Sequence, residues 1–237
     1  MSTTATSKAA QFRIRELVLA KTAHEHASSG ICEDDKYELE SLITCFPNLV
    51  DMEVTVLQQC HPDCERFNRK DYPLLHWFCC IHDPKLVEFL VDAGADVLLP
   101  NKSDNLYTPL KYWLDSTHGC PHVVHALQND SDKVEFMHIV KLLIKKGAME
   151  TSSVNLIKCA LEHRNSSSLM RMLLENRTDR MHPLGGSLLS DFLKYNISRY
   201  NPVEAHEVVR LLIGNGCKIE FSGTGMSTKS CDFYDFQ

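Results

Sequence analysis

One short pattern recurs along this chain and limits its fold more than any other feature. Leu86-Val87-Glu88-Phe89-Leu90-Val91-Asp92-Ala93-Gly94 aligns with Ile139-Val140-Lys141-Leu142-Leu143-Ile144-Lys145-Lys146-Gly147, and both align with Val208-Val209-Arg210-Leu211-Leu212-Ile213-Gly214-Asn215-Gly216. A fourth copy, Leu169 to Arg177, keeps the apolar positions and has arginine for glycine; a fainter fifth runs from Leu39 to Pro47. Apolar residues fall at i, i+1, i+3 and i+4, a helical stripe wide enough to need neighbours on more than one side. The glycine stands where helices commonly end in a left-handed residue, a conformation that costs a residue bearing a β-carbon about 1 kcal/mol or more. Arg177 in that slot predicts a different exit, with Asn176 as the residue able to turn left-handed. Units of this kind bury their stripes only by stacking. The pattern therefore predicts a stack of short helical repeats.

A second signature precedes the helices. In Thr108-Pro109-Leu110-Lys111 the threonine can cap a helix, and the proline fits the first helical position, where its missing N–H is no loss. With this signature in place the chain resembles the ankyrin repeat, whose unit carries T-P-L-H-x-A followed by a V-x-x-L-L-x-x-G-A helix, and the resemblance implies an all-α solenoid of four to five irregular helix-turn-helix repeats with short hairpin loops. Pro73-Leu74-Leu75-His76 to Gly94-Ala95-Asp96 is the cleanest copy, although Pro73 replaces threonine and Trp77-Phe78-Cys79 replace small residues; Asn155 to Ala160 is a degenerate third version. The glycine-equivalent positions 47, 94, 147, 177 and 216 are 47, 53, 30 and 39 residues apart, against about 33 in the family. The excess locates an insertion within Thr117–Val134, and long loops inside such arrays are more often functional than neutral.

Ala9 to His26 carries Phe12, Ile14, Leu17, Val18 and Leu19 at helical spacing and reads as a capping helix. Residues 1–35 are thus expected to form a cap and linker, 36–221 the array, and 222–237 a Gly/Ser-rich, frayed tail. The net charge of −6 and a pI near 6.0 supply no basic stripe for nucleic acid or an anionic membrane. Ten cysteines suggest disulfides, but Met1 to Lys8 has no apolar run of the kind a secretory signal needs. The expectation is an intracellular protein, cytoplasmic or nuclear, with reduced thiols. In that setting the Asn-x-Ser/Thr sequons at Asn101, Asn129, Asn165, Asn176 and Asn196 are composition only.

Catalytic motifs are approached and missed. Gly223-Thr224-Gly225-Met226-Ser227-Thr228-Lys229-Ser230 has threonine where a P-loop needs its second glycine, and too few residues follow for the helix. His206-Glu207-Val208-Val209-Arg210 has arginine where a second zinc histidine belongs, which leaves Glu207 as a helix-dipole acid. Gly185-Gly186-Ser187 lacks the trailing glycine of a nucleophile elbow. No enzyme, cofactor or small-molecule substrate is expected. Cys60-His61-Pro62-Asp63-Cys64 with His76, Cys79, Cys80 and His82 could make a tetrahedral zinc site. The simpler reading is thiols acting as small hydrophobes.

The resemblance makes His76 structural, its ring bonding backbone and capping groups between repeats, and makes the first helices and hairpin tips the binding surface. It places the variable, partner-binding positions at Cys80, Ile81, Lys102, Asp104, Asn105, Tyr107, Asp115 and Ser116. Tyr107 offers the most anchor area, unless it only packs on its own hairpin. Trp77, Tyr112 and Trp113 stand where the family has small residues or leucine; they read as core first, interface second. Lys145-Lys146 and Glu33-Asp34-Asp35 read as solvated charge. The expected function is protein–protein recognition by the concave face and the insertion, as an adaptor or a competitive inhibitor. Short virus-encoded ankyrin proteins similar to inhibitors of Rel-type transcription factors work this way. The alternative is a zinc-stabilised interaction module built on the Cys60–His82 cluster.

Overall fold

The structure is a computed structural model that describes residues 3–22, 32–59, 67–102, 107–114, 130–149, 153–162, 167–177, 184 and 187–217. It is mainly helical. Helix α1 (Thr3–Thr22) buries Ala10, Ile14, Leu17 and Val18, one face at i, i+4, i+7 and i+8. It lies against α2 (Glu33–Cys45), and Arg13 ties the two helices by donating to both carboxylate oxygens of Glu38, at 2.7 and 2.8 Å. Helix α1 begins six residues before the cap expected from Ala9, and α2 starts inside the segment assigned to the linker.

The next element corrects the purely helical expectation. Strand β1 (Glu53–Gln59) pairs antiparallel with β2 (Phe67–Pro73), Glu53 opposite Pro73 and Gln59 opposite Phe67. Alternation explains it: Val54, Val56 and Tyr72 share a buried face, β1 packs under α1, and Glu53 and Asp71 face solvent. Across the polar face the Thr55 hydroxyl donates to the carboxylate of Asp71 at 2.6 Å.

Helices then follow in pairs. Helix α3 (Leu74–Cys80) packs on α4 (Pro84–Asp92), α5 (Pro109–Leu114) on α6 (Asp130–Lys145), and α7 (Ser153–Glu162) on α8 (Ser167–Glu175). Helix α9 (Ser187–Asp191), continued by a wide turn Phe192–Asn196 and a tight one Ile197–Arg199, packs on α10 (Pro202–Gly214). Between pairs, α3 touches α5, α5 touches α7, and α7 touches the Phe192–Asn196 turn; α4 touches α6, and α8 touches α10. Polar side chains link these second helices: Glu88 lies 3.3 Å from His138 Nε2, and ion pairs join Asp92 with Lys146 at 3.4 Å and Glu207 with Arg171. Because α6 starts at Asp130, the C-terminal end of the expected Thr117–Val134 insertion is helix rather than loop.

The three glycine exits share one geometry. Gly94, Gly147 and Gly216 have φ of 95°, 99° and 87°. The residue after each donates its N–H to a carbonyl five residues back, Ala95 to Leu90, Ala148 to Leu143 and Cys217 to Leu212, at 2.9–3.1 Å. Asn176 does not take the left-handed role expected of it. His82 is the one non-glycine residue with positive φ among those described. Asn176 instead bonds the Met172 carbonyl with its own N–H (3.2 Å) and side-chain amide (2.8 Å), and Arg177 folds inward, 5% exposed. A β-carbon at Gly94 would meet nothing within 4 Å. Gly94→Ala is therefore expected to cost about 1–2 kcal/mol through backbone strain alone, measured by urea unfolding. A neutral substitution would mean that this exit is not left-handed.

Candidate functional site

Two of the sequence-derived binding positions, Lys102 and Tyr107, stand at one junction between helix pairs. Tyr107 and Asn101 form an isolated antiparallel bridge in which the Asn101 N–H donates to the Tyr107 carbonyl at 2.9 Å. The same carbonyl lies 3.1 Å from His76 Nε2, so α3 is tied to the loop leading into α5. Buried Asn101 donates its side-chain amide to the Tyr112 hydroxyl at 2.9 Å. Thr108 caps α5 as its sequence predicts, its hydroxyl facing the Lys111 N–H at 3.4 Å. The rings of Trp77, Tyr72, Tyr112 and Tyr107 run in series with centroids 5.9, 5.7 and 5.5 Å apart, and Lys111 Nζ sits 3.3 Å over the Tyr107 ring.

Lys102 is exposed beside this bridge, and Tyr107 and Ile81 are half-buried. Cys80 does not offer the surface expected of it: it is 8% exposed, because β2, α4 and α5 enclose α3 and leave mainly Trp77 and Ile81 partly open. Asp104, Asn105, Asp115 and Ser116 lie outside the described residues. Tyr112 and Trp113 are core, 1% and 2% exposed, and Trp77 is half-buried against it. Sequence reading missed Asp83, which is 6% exposed, and Arg177; the signal for the first was Asp83-Pro84, the same cap-then-proline pair as Thr108-Pro109. Glu207 is not a first-turn acid: that place belongs to Glu204, while Glu207 accepts from Arg171 and Arg210.

Of the cysteine-histidine cluster, Cys60, His61 and Cys64 lie outside the described residues. The others have separate surroundings. Cys79 is in the core, where burial pushes its thiol well above the ordinary cysteine range. His82 stacks on Trp113 at 4.5 Å, and His76 bonds Tyr107. Among the described residues no group of three His, Cys, Asp or Glu side chains is placed to hold a metal ion. A shallow cleft of about 270 Å³ is lined by Arg171, Leu174, Glu175, Leu211 and Asn215, and brings no nucleophile together with a base. No described helix is long and apolar enough to cross a membrane. No family model, curated protein or solved structure matches the chain.

His76 gives the junction a pH dependence. Burial drives its pKa from 6.5 to about 4, outweighing the pull of the Tyr107 and Leu99 carbonyls and of Asp96. The unfolded chain therefore binds the proton more tightly. This histidine's contribution is full above pH 6.5 and is lost as pH falls toward 4, in total about 3 kcal/mol. His76→Leu is expected to be less stable at pH 7, having lost the bond to the Tyr107 carbonyl, which keeps the Asn101 N–H, and flatter between pH 7 and 4. Parallel urea titrations at each pH check this; equal slopes for the two proteins would show that His76 is not buried neutral.

Proposed function

We propose that this chain is an ankyrin-like array that recognises another protein through its first-helix face and the segment inserted between α5 and α6, and acts by occupying that partner's surface. One observation carries the reading. The first helices α3, α5 and α7 lie one against the next, and the His76–Tyr107–Asn101 junction braces the loop that leads into α5, an arrangement in which neighbouring units share a constant core and differ at their edges. The three matching glycine exits support the same reading. The binding side chains are then Lys102, Tyr107 and Ile81, with Asp104, Asn105, Asp115 and Ser116 from the adjoining segments. Adaptor and competitive inhibitor are both consistent with such a surface. No observation favours the zinc-stabilised alternative over this one.

The test is affinity capture with three forms of the chain: native, lacking residues 117–129, and Lys102→Glu. Lys102 is exposed, so its substitution should leave thermal unfolding unchanged. The expected result is one partner retained by the native chain and lost or weakened about tenfold or more in both variants. Full retention by both would place the interface elsewhere.

A further inference from the structure

The stack is interrupted on its second-helix side. Helix α4 packs on α6 and α8 on α10, whereas among the described residues α6 and α8 have no such packing, although their first helices α5 and α7 touch. Burial at one position of the recurring helix records the gap. Val91, Ile144, Leu174 and Ile213 stand in the same place of the repeat. Val91 and Leu174, each followed by a packed second helix, are 2% and 4% exposed. Ile213, on the last described helix, is 47% exposed, and Ile144 is half-buried, closer to that free end than to the packed units.

The polar links between second helices keep the same register. The side chains that reach forward along the stack are Glu88 and Asp92 of α4 and Arg171 of α8, which meet His138, Lys146 and Glu207. Aligned on the repeat, the residues of α6 equivalent to Glu88 and Asp92 are Lys141 and Lys145. Both are exposed, and neither has a polar side-chain partner among the described residues. The places that would answer them, equivalent to His138 and Lys146, hold Ser168 and Asn176, and the Asn176 amide is bonded to the Met172 carbonyl. Glu175 of α8 lines the cleft on the α10 side. After Asp130, the first residue of α6, this side of the helix carries Val134, Met137, Lys141, Ile144 and Lys145, apolar and cationic residues with no further acid.

We propose that the open side of α6 receives an acidic amphipathic helix of another protein, seated where the next second helix would lie. Its apolar edge meets Met137 and Ile144, and two of its carboxylates, one turn apart, take Lys141 and Lys145, which are themselves one turn apart. Such a helix supplies the charge that the ladder of second helices lacks at this one step. A second copy is the poorer occupant, since a two-fold contact through this side would set Lys141 and Lys145 against themselves. The inference does not depend on which partner the first-helix face recognises.

The test is binding of the full chain, followed by fluorescence anisotropy, to a labelled helical peptide of about 18 residues with leucines along one face and two glutamates one turn apart at its edge. The native chain is expected to bind it about tenfold more tightly than a peptide with glutamines in their place, and to lose that preference in Lys141→Glu with Lys145→Glu. Both positions are exposed, so thermal unfolding should stay native. A peptide with lysines at the two places should favour this variant over the native chain by about tenfold. Lys102→Glu should leave every affinity unchanged, which separates this surface from the first-helix face. No binding of the glutamate peptide up to about 1 mM, equal affinity for native chain and variant, loss of binding in Lys102→Glu, or a dimer that the double substitution dissolves would each overturn the proposal.

Discussion

Trp113→Ala is expected to destabilise the chain by about 4 kcal/mol, the range for removing a large buried aromatic. The side chain is 2% exposed, and its ring clusters with His82 at 4.5 Å and Phe136 at 5.9 Å, which are themselves 6.2 Å apart. Its Nε1–H donates to the Phe136 carbonyl at 3.2 Å, so the substitution also removes a buried hydrogen bond. Trp113→Phe keeps the ring and loses the donor, and should cost about 1–2 kcal/mol. Urea unfolding of the three proteins checks both figures. Trp113 sits where α5 meets the α3–α4 turn and α6, so the loss should be global, with one cooperative transition shifted. A native midpoint for Trp113→Ala would mean that the ring is a surface feature, and the core drawn around α5 would be wrong.

Trp113 also marks how far sequence could be read. Its position in the first helix raised two possibilities, core filler or surface anchor, and only burial separates them. The glycine exits needed no tertiary information: a helix end wants a left-handed residue, glycine supplies it, and Gly94, Gly147 and Gly216 do so. Where glycine was missing the local rule failed. Asn176 satisfied the last turn with its side-chain amide, an option that the propensity for left-handed backbone does not contain. The hairpin was legible as the alternation of Val54, Thr55 and Val56, but the helical repeat dominated the reading of the surrounding chain. His82, with φ of 54°, ends α3 as the glycines end their helices, the next residue, Asp83, donating its N–H to the Phe78 carbonyl five residues back at 3.1 Å, and the ring so placed stacks on Trp113. Of the binding positions, Cys80 was misjudged because an exposed-face assignment by analogy takes no account of β2 lying alongside α3. Lys102 and Tyr107 stand together because Asn101 and Tyr107 pair, which the chain's spacing alone does not specify.

Asp83 joins helix capping to a buried charge, and the consequences of removing it can be separated. One carboxylate oxygen accepts the Leu86 N–H at 3.2 Å and caps α4; the other takes Lys36 Nζ at 3.1 Å, with only 5% and 13% of the two side chains exposed. The pair fastens α2 to the start of α4. Burial pulls the Lys36 ammonium down, but the hydrogen bonds and charges of Asp83 and Glu33 prevail and hold its pKa above the ordinary lysine value. Asp83→Ala removes a cap worth about 1 kcal/mol and strands the cation, a loss of about 3–5 kcal/mol in fully buried pairs. Lys36 keeps Glu33 at 3.5 Å, so the expected total is about 3–4 kcal/mol. Asp83→Asn retains the acceptor for Leu86 and should cost about 2 kcal/mol, nearly all of it electrostatic. In the cycle with Lys36→Met, the double variant should be more stable than the sum of the single losses by about 1–3 kcal/mol. Alkali supplies an independent check. A raised lysine pKa stabilises the fold below the unfolded value of 10.5 and is lost as pH rises through the folded one, so the native chain should weaken there more steeply than Lys36→Met. Strict additivity in the cycle, with parallel alkaline slopes, would reduce Asp83 to a helix cap with no part in holding α2.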